Sequence, residues 1–155
     1  MSTTIRRAVT ADAARLTAIA HAAKSHWDYP EAWIRSWSEQ LTVTRDDVDA
    51  QRVFLIEERG ETLGFYALSG HGATLELDHL WIDPPGIGRG LGRDLLEHAC
   101  GEARNAGAKR IETDSDPFAE GFYERMGARR IGKTPAPMDG AADRYLPRMA
   151  LPLDV

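Results

Sequence analysis

The stretch PPGIGRGLGR, at positions 84–93, is the most informative part of this sequence. It joins an apolar segment typical of a buried strand to a segment with leucines at helical spacing. A glycine-rich turn before a helix suits an anion, because the first helical amides lack intrahelical partners and the helix dipole favours negative charge. Glycines also let a phosphate approach the main chain without meeting a Cβ. The stretch therefore predicts a phosphate-binding turn in a strand–turn–helix unit.

Three phosphate-binding patterns compete for this turn. The dinucleotide fingerprint G-x-G-x-x-G fails, because it needs glycine at Leu91 or at Arg93. The nucleoside-triphosphate loop G-x-x-x-x-G-K-[ST] fails, because Leu91 stands at its second glycine and no Lys-Ser or Lys-Thr pair follows. The pattern that fits is x-x-G-x-G before a helix, with Gly88, Gly90 and Gly92 in the turn and Arg93 available to a phosphate. A glycine-rich loop without a ligand is the alternative that this pattern leaves open.

Composition is that of a globular protein with one domain. The chain has 155 residues, 43% hydrophobic and 28% charged, so we expect a single domain over residues 1–155. No apolar run reaches the length of a membrane span and no secretory pattern is visible, so we expect a cytoplasmic protein without a membrane partner. A net charge of -5 argues against a nucleic-acid partner. Cys100 is the sole cysteine, and no Cys/His cluster predicts a metal.

Strand and helix patterns alternate along the chain, which predicts a mixed α/β fold. Thr10 and Thr44 are predicted to cap helices, Gly107 to end one, and the Arg59-Gly60-Glu61 segment to form a hairpin turn. The predicted strands cover residues 5–9, 52–58, 62–69, 74–82, 110–116, 128–134 and 144–153. The predicted helices cover residues 11–27, 30–41, 45–50, 86–107 and 118–126.

Residues 82–96, IDPPGIGRGLGRDLL, resemble the coenzyme A motif of the GNAT N-acyltransferase superfamily, in which a strand ending in V-x-P leads to [QR]-x-x-G-x-[GA] and a helix. Ile87 departs from the pattern at the Gln/Arg position, where the main-chain amide makes the principal contact. The resemblance implies that the phosphates bind main-chain amides of the turn and that the strand before it pairs with the pantetheine arm. The implied contacts are Leu80, Trp81, Ile82, Ile87, Gly88, Arg89, Gly90, Leu91, Gly92 and Arg93.

A second stretch, DPFAEGFYERMGA at residues 116–128, resembles the family pattern N-x-x-A-x-x-[FL]-Y-x-[KR]-x-G-[FA]. It implies that Ala119 and Phe122 contact the coenzyme and that Tyr123 is the general acid. Asp116 replaces the usual asparagine, and an ionised carboxylate accepts a hydrogen bond but donates none, so its contact with pantetheine stays open. The order of elements also matches, so the resemblance covers nearly the whole chain. It implies an α/β (α+β) fold with a mixed, mostly antiparallel sheet of six or seven strands and about four helices.

The implied activity is transfer of an acetyl group from acetyl-CoA to a primary amine, by direct attack in a ternary complex. The acceptor is a small molecule or a protein, and a homodimer is compatible with the resemblance. A non-catalytic module that binds acyl-CoA is the alternative, because it would keep the glycine turn and lose the acid and base. The sequence identifies neither the acceptor, nor the acyl-chain preference, nor the oligomeric state.

Three residues are candidates for proton transfer. A phenol with a pKa of about 10 stays protonated at neutral pH, which suits Tyr123 as an acid, although a core tyrosine is the structural alternative. Glu76 and Asp78 lie two apart on a predicted strand, on one face, and are candidate bases. The alternatives are a carboxylate paired with an arginine and deprotonation through a water relay. His79 points to the opposite face, as a packed or partly exposed side chain.

The acceptor side has weaker signals. His26, Trp27 and Tyr29 lie in the connection between the first two predicted helices, and we expect them at the lip of an acceptor pocket. Aromatic and polar groups of this kind stack on a substrate or form hydrogen bonds with it. Trp33 and Trp37 continue at helical spacing, which favours core positions.

Overall fold

The computed structural model describes residues 2–153 and contains one mixed sheet. Its strands are β1 Thr4–Arg7, β2 Arg52–Glu58, β3 Glu61–Ser69, β4 Thr74–Ile82, β5 Arg110–Asp114, β6 Arg129–Pro135 and β7 Tyr145–Pro152. Their order in the sheet is β1-β2-β3-β4-β5-β7-β6. Strands β4 and β5 are parallel, whereas β1–β2, β2–β3, β5–β7 and β6–β7 are antiparallel. The predicted mixed, mostly antiparallel sheet is confirmed.

Six α-helices lie within the described residues, against about four expected: α1 Ala13–His26, α2 Glu31–Ser36, α3 Ser38–Leu41, α4 Arg45–Ala50, α5 Leu91–Asn105 and α6 Glu120–Arg125. One reason is that the helix predicted over residues 30–41 breaks at Trp37, which ends α2 with φ -91° and ψ 5°. No helix in this part of the chain is long and apolar enough to cross a membrane. Nor does a group of three or more metal-ligating side chains converge there.

The capping predictions have mixed outcomes. Thr44 accepts a hydrogen bond from the Asp47 amide at 3.0 Å and the Asp47 carboxylate accepts one from the Thr44 amide at 2.9 Å, so the predicted cap of α4 is confirmed as a capping box. The predicted cap at Thr10 is wrong. Thr10 lies in a 3-10 turn before α1, and the carboxylate of Asp12 accepts from the Val9 amide at 2.8 Å. A charged acceptor is stronger than a threonine hydroxyl, which explains the difference.

Two other predicted turns are confirmed in position. At the end of α5, the Gly107 amide donates to Arg104 O and the Ala108 amide to Ala103 O, which is the Schellman arrangement. In the β2–β3 hairpin, Arg59 and Gly60 have φ of 53° and 78°. The turn therefore needs the left-handed conformation at both central residues, and Glu61 already belongs to β3.

The chain divides into two compact units, of which the first comprises residues 2–69 and 79–99 within the described part. Helix α1 contributes Leu16 and Ile19 to its core, and the facing strands contribute Leu55 and Phe65, all fully buried. Trp37 and Trp81 pack against this cluster while partly exposed. The apolar periodicity of α1 therefore produces the expected buried face.

Strand β3 approaches the end of β4 closely at Gly64. A Cβ at this position would lie 2.8 Å from the carbonyl oxygen of Trp81 and 2.8 Å from Cδ1 of Ile82. The carbonyl belongs to the main chain and has no rotamer with which to move aside. The absence of a side chain at Gly64 therefore sets the spacing of β3 and β4 in this unit.

We expect Gly64→Ala to lower the free energy of unfolding by about 2 kcal/mol, because the added methyl overpacks two strands. Urea denaturation measures the change. Gly132→Ala is the matched control, since Gly132 also lies in a strand and a Cβ there would meet no atom within 4 Å. Equal stability of the Gly64→Ala variant and the wild type would contradict the close approach.

The second unit comprises residues 70–78 and 100–153 of the described chain. Buried and polar positions alternate along its strands, so that Leu75, Leu77 and Ile111 are buried while Glu76 and Glu112 are only partly covered. Glu76 and Glu112 are partners in the β4–β5 register. One face of this part of the sheet therefore carries charged side chains, as the alternation of a strand requires.

Candidate active site

The glycine turn has the geometry of an anion site. Pro84–Gly86 forms a 3-10 turn, Ile87 is extended, and α5 begins at Leu91. The first α-helical hydrogen bond runs from the Asp94 amide to Gly90 O at 3.1 Å. The amides of residues 91–93 precede this bond, so they and the preceding turn form the positive end of a 15-residue helix. The phosphate-binding turn predicted from sequence is thus present as a strand–turn–helix unit.

The main-chain conformation of the turn, rather than close packing, requires glycine at positions 88 and 90. Their φ angles are 87° and 79°, in the left-handed region that side chains disfavour. A Cβ at either position would meet no protein atom within 4 Å, so the space beside them is open. Gly86 differs, because it is buried and a Cβ there would lie 2.9 Å from Cδ1 of Leu91. Two glycines therefore keep the turn accessible and the third lets it pack.

The two arginines of the turn pair with carboxylates that differ in exposure. Arg89 pairs with Glu58 at 2.9 Å and Arg93 with Glu97 at 3.0 Å. The Arg93–Glu97 pair is solvent-exposed and contributes little stability, so a phosphate can replace its carboxylate at small cost, whereas the Glu58 side chain is only 13% exposed. The side chain of Ile87 is exposed, which fits a contact made only through its main chain. The implied coenzyme contacts of these residues stay predictions.

An aromatic cluster in the first unit surrounds the ammonium group of Lys24. Its Nζ lies 4.3 Å from the ring centre of Trp37, 4.9 Å from that of Tyr29 and 6.0 Å from that of Trp81. The lysine is only 8% exposed. Sequence reasoning missed Lys24, although its position four residues after the buried Ala20 was a signal. Cation–π attraction makes such an ammonium tolerable beside aromatic rings.

Of the three predicted lip residues, Tyr29 belongs to this cluster. Its ring centre lies 5.0 Å from that of Trp37 and 6.1 Å from that of Trp33. His26 and Trp27 instead contact each other edge-on at 5.2 Å. Trp33 and Trp37, expected in the core, are both only partly buried. The acceptor role of His26, Trp27 and Tyr29 stays a prediction.

His79 is packed on the same side of β4 as Trp81. The indole Nε1 of Trp81 donates to Nδ1 of His79 at 3.0 Å, and the ring of Phe65 lies 5.7 Å away. Burial lowers the pKa of His79 to about 4, although the charge of Asp47 acts in the opposite direction. His79 is therefore neutral at physiological pH and accepts a hydrogen bond rather than carrying charge.

This environment predicts a loss of stability in acid. An unfolded histidine has a pKa of about 6.5, so below that pH the unfolded chain takes up a proton that native His79 does not. We expect the free energy of unfolding to fall by about 2 kcal/mol between pH 7 and pH 5 through this residue. His79→Gln keeps an acceptor for Trp81 and cannot titrate, so urea denaturation at the two pH values should show a smaller difference. An identical difference in both proteins would contradict the assignment.

In the second unit, Arg148 connects three carboxylates. It donates to both oxygens of Glu76 at 2.7 and 2.5 Å, and it lies 3.2 Å from Glu112 and 3.3 Å from Asp114. Glu76 above all raises the pKa of Arg148. Arg110 first, and then Arg148, lowers the pKa of Glu112. The arginine pairing that the sequence left open for Glu76 is thus the observed arrangement.

Asp78 differs from Glu76 in its exposure to solvent. It is exposed, whereas Glu76 on the same strand is partly covered. The two candidate bases therefore have different surroundings, although both lie on β4. A proton acceptor needs an oxygen that a substrate can reach, and exposure meets that requirement better at Asp78.

Tyr123 is buried on α6 in the second unit, with 7% of its surface exposed. Its carbonyl accepts from the Ala128 amide at 3.0 Å, which anchors the residue in the Schellman arrangement at the end of α6. Burial raises the pKa of Tyr123 well above its ordinary value, and the hydroxyl of Thr113 acts in the opposite direction. The phenol therefore keeps its proton at physiological pH.

Asp116 acts as a cap in this structure. Its carboxylate accepts from the Phe118 amide at 2.9 Å, at the start of the 3-10 turn Pro117–Ala119. Ala119 in turn is the N-cap residue of α6, and the Phe122 ring lies 5.2 Å from that of Tyr123. The coenzyme contacts implied for Asp116, Ala119 and Phe122 stay predictions.

Comparisons with known proteins agree with this geometry. The sequence model described as the acetyltransferase (GNAT) family matches residues 19–128. The peptidyl-lysine N-acetyltransferase YjaB of Escherichia coli (strain K12) is 31% identical over 128 residues, which cover 72% of this chain and 83% of the relative.

Solved structures of the same class share the fold. The PaiA N-acetyltransferase of Thermoplasma acidophilum, solved with coenzyme A, has a TM-score of 0.80 and 18% identity over 98% of this chain and 99% of its own. The structure of yncA from Salmonella typhimurium with acetyl-CoA has a TM-score of 0.73 and 22% identity over 100% of this chain and 96% of its own.

Proposed function

Because this chain belongs to the GNAT acetyltransferase family, we propose that it transfers the acetyl group of acetyl-CoA to a primary amine by direct attack in a ternary complex. The observation that carries the proposal is the glycine turn at the start of α5. Its helical amides precede the first intrahelical hydrogen bond, and Gly88 and Gly90 leave open space beside them. These amides suit the pyrophosphate of the donor.

Acetyl-CoA is the donor that the comparisons favour. Relatives of the same fold were solved with coenzyme A and with acetyl-CoA. In our proposal the pyrophosphate binds the amides of residues 88–93, and Arg93 exchanges the exposed carboxylate of Glu97 for a phosphate oxygen. The main chain of residues 80–82 pairs with the amides of the pantetheine arm, as an added strand would.

The proposed reaction forms a C–N bond and breaks a C–S bond. The neutral amine attacks the thioester carbonyl carbon, and the collapse of the adduct expels the thiolate of coenzyme A. The attacking nitrogen loses one proton to a base, and the thiolate receives one from the phenol of Tyr123. Water then carries the proton from the base to the phenolate, which restores both groups. Burial raises the pKa of Tyr123, so the phenol holds its proton at neutral pH and a phenolate formed there is rapidly reprotonated. The products are an N-acetylated amine and the free thiol.

The surroundings of the two carboxylates favour Asp78 or a water relay as the proton acceptor. Both oxygens of Glu76 already accept charged hydrogen bonds from Arg148, and a proton on Glu76 would break one of them. In our proposal Glu76 fixes Arg148, and Asp78, which is exposed, receives the proton directly or through water. Asp78→Asn should then lower kcat more than Glu76→Gln.

A lysine side chain of a protein is the acceptor that we propose first. The support is the relative named a peptidyl-lysine N-acetyltransferase, of which the match covers 83%. The net charge of -5 also suits a cationic acceptor. A small-molecule amine remains the second class to test.

The test is thiol release from acetyl-CoA in the presence of lysine-containing peptides and small amines. We expect release that depends on the amine and a product heavier by one acetyl group in mass spectrometry. Calorimetry with coenzyme A runs in parallel. Binding of the coenzyme without turnover on any amine would support the non-catalytic module instead.

A further inference from the structure

One arginine outside the predicted site contacts the residue from which the glycine turn begins. Arg15 on α1 donates through Nη2 to the carboxylate of Asp83 at 2.9 Å and to the carbonyl oxygen of Thr62 at 3.0 Å. All three residues belong to the first unit. One guanidinium thus joins a helix, a strand and the start of the turn.

Asp83 is held at three points. Its amide donates to Leu63 O at 2.8 Å, its carbonyl accepts from the Gly86 amide at 2.8 Å, and its carboxylate binds Arg15. The side chain of Asp83 is only 16% exposed, so the charged contact is partly shielded from water. Asp83 therefore has a fixed position and orientation immediately before the turn.

The turn itself has few restraints of its own. Gly88 and Gly90 have no atom within 4 Å of a Cβ position, and Ile87 and Arg89 are exposed. Its placement therefore comes from the Arg89–Glu58 pair and from its two ends, which are Asp83 with Gly86 on one side and buried Leu91 on the other. A shift at Asp83 would move the amides that face the phosphates.

We propose that Arg15 is a positioning residue for acetyl-CoA, which it serves by holding Asp83 and thereby the phosphate-binding amides. This inference rests on the proposed function and names a residue that neither family motif contains. Arg15 touches neither substrate in the proposal. It fixes where the turn lies, and small displacements of binding groups have large effects on affinity and rate.

The experiment compares Arg15→Met and Arg15→Lys with wild type. We expect Arg15→Met to raise the KM for acetyl-CoA and the Kd for coenzyme A by about tenfold, with kcat and the KM for the amine within about twofold. Arg15→Lys should fall between the two, because an ammonium keeps the positive charge but not the planar guanidinium whose Nη2 donates to both Asp83 and Thr62. The double variant Arg15→Met/Asp83→Asn should bind coenzyme A no more weakly than whichever single variant has the lower affinity. Each substitution breaks the same Arg15–Asp83 contact, so the second adds no further loss.

Arg6→Met is the matched control. The Arg6–Asp12 pair lies in the same unit at 3.0 Å, with side chains 37% and 17% exposed against 42% and 16% for Arg15–Asp83. We expect its affinity for coenzyme A to equal that of wild type. The inference would be overturned if Arg15→Met bound coenzyme A as tightly as the wild type. It would also be overturned if the losses of affinity for coenzyme A in the two single variants added up in the double variant. Failure of the wild-type protein to bind coenzyme A would instead overturn the proposed function.

Discussion

Tyr123→Phe is expected to lower kcat by about 1000-fold, because it removes the proton that neutralises the departing thiolate. The phenol is buried, and burial raises its pKa so that it is protonated at neutral pH. Phenylalanine preserves the packing volume of the ring. Thiol release under saturating acetyl-CoA and amine measures the effect, and the Kd for coenzyme A should stay within about twofold of wild type.

The control for this substitution is another buried phenol that the proposal does not use. Tyr66 is fully buried and shares a 2.7 Å hydrogen bond with Nδ1 of His98. Tyr66→Phe also removes one buried hydroxyl, and we expect it to lower stability while leaving kcat within about twofold. If Tyr123→Phe reduced stability alone and kept its kcat, Tyr123 would be the core tyrosine that the sequence allowed.

Local chemistry explains how much of the structure could be predicted from sequence. The glycine turn and α5 depend on neighbours in the chain, namely turn glycines, amphipathic spacing and a C-terminal glycine. Strand β4 was predicted at its observed bounds, Thr74–Ile82, because two prolines follow it closely. In each case the residues that decide the conformation lie within a few positions of one another.

Contacts between distant segments could not be predicted from the sequence. Glu76 and Arg148 are 72 positions apart, and only the β4–β5–β7 register places them together. The position of Lys24 among three aromatic rings likewise depends on the packing of α1 against β4 and against Tyr29 and Trp37, which flank α2. The break at Trp37 is a tertiary effect of the same kind, because local propensity favours one continuous helix there.

These distant contacts change the chemistry assigned to single residues. Two carboxylates on β4 are equivalent candidates in the sequence, and the structure shows that Arg148 donates to both oxygens of Glu76. Similarly, the position of His79 in the sequence says little about its charge, whereas its packing beside Phe65 and Trp81 makes it neutral. The fold thus sets protonation states that spacing alone leaves open.

Gly90→Val is expected to weaken coenzyme A binding at least about 100-fold, measured by calorimetry. Gly90 has φ 79°, which a β-branched residue strongly disfavours, so the turn would have to change conformation and misplace its amides. The space beside it is open to a ligand, so the added side chain would also approach the phosphates. Gly90→Asn separates the two causes, because asparagine tolerates the left-handed conformation while still filling that space.

Gly72→Val is the matched control for Gly90→Val. Gly72 has φ 87°, and a Cβ there meets nothing within 4 Å, so the backbone cost is similar while the site lies in the β3–β4 connection. We expect Gly72→Val to lose comparable stability and to bind coenzyme A as the wild type does. Equal affinity of both variants for coenzyme A, with both folded, would show that the phosphates bind somewhere other than the turn before α5, because only a ligand seated there distinguishes two equally strained glycines.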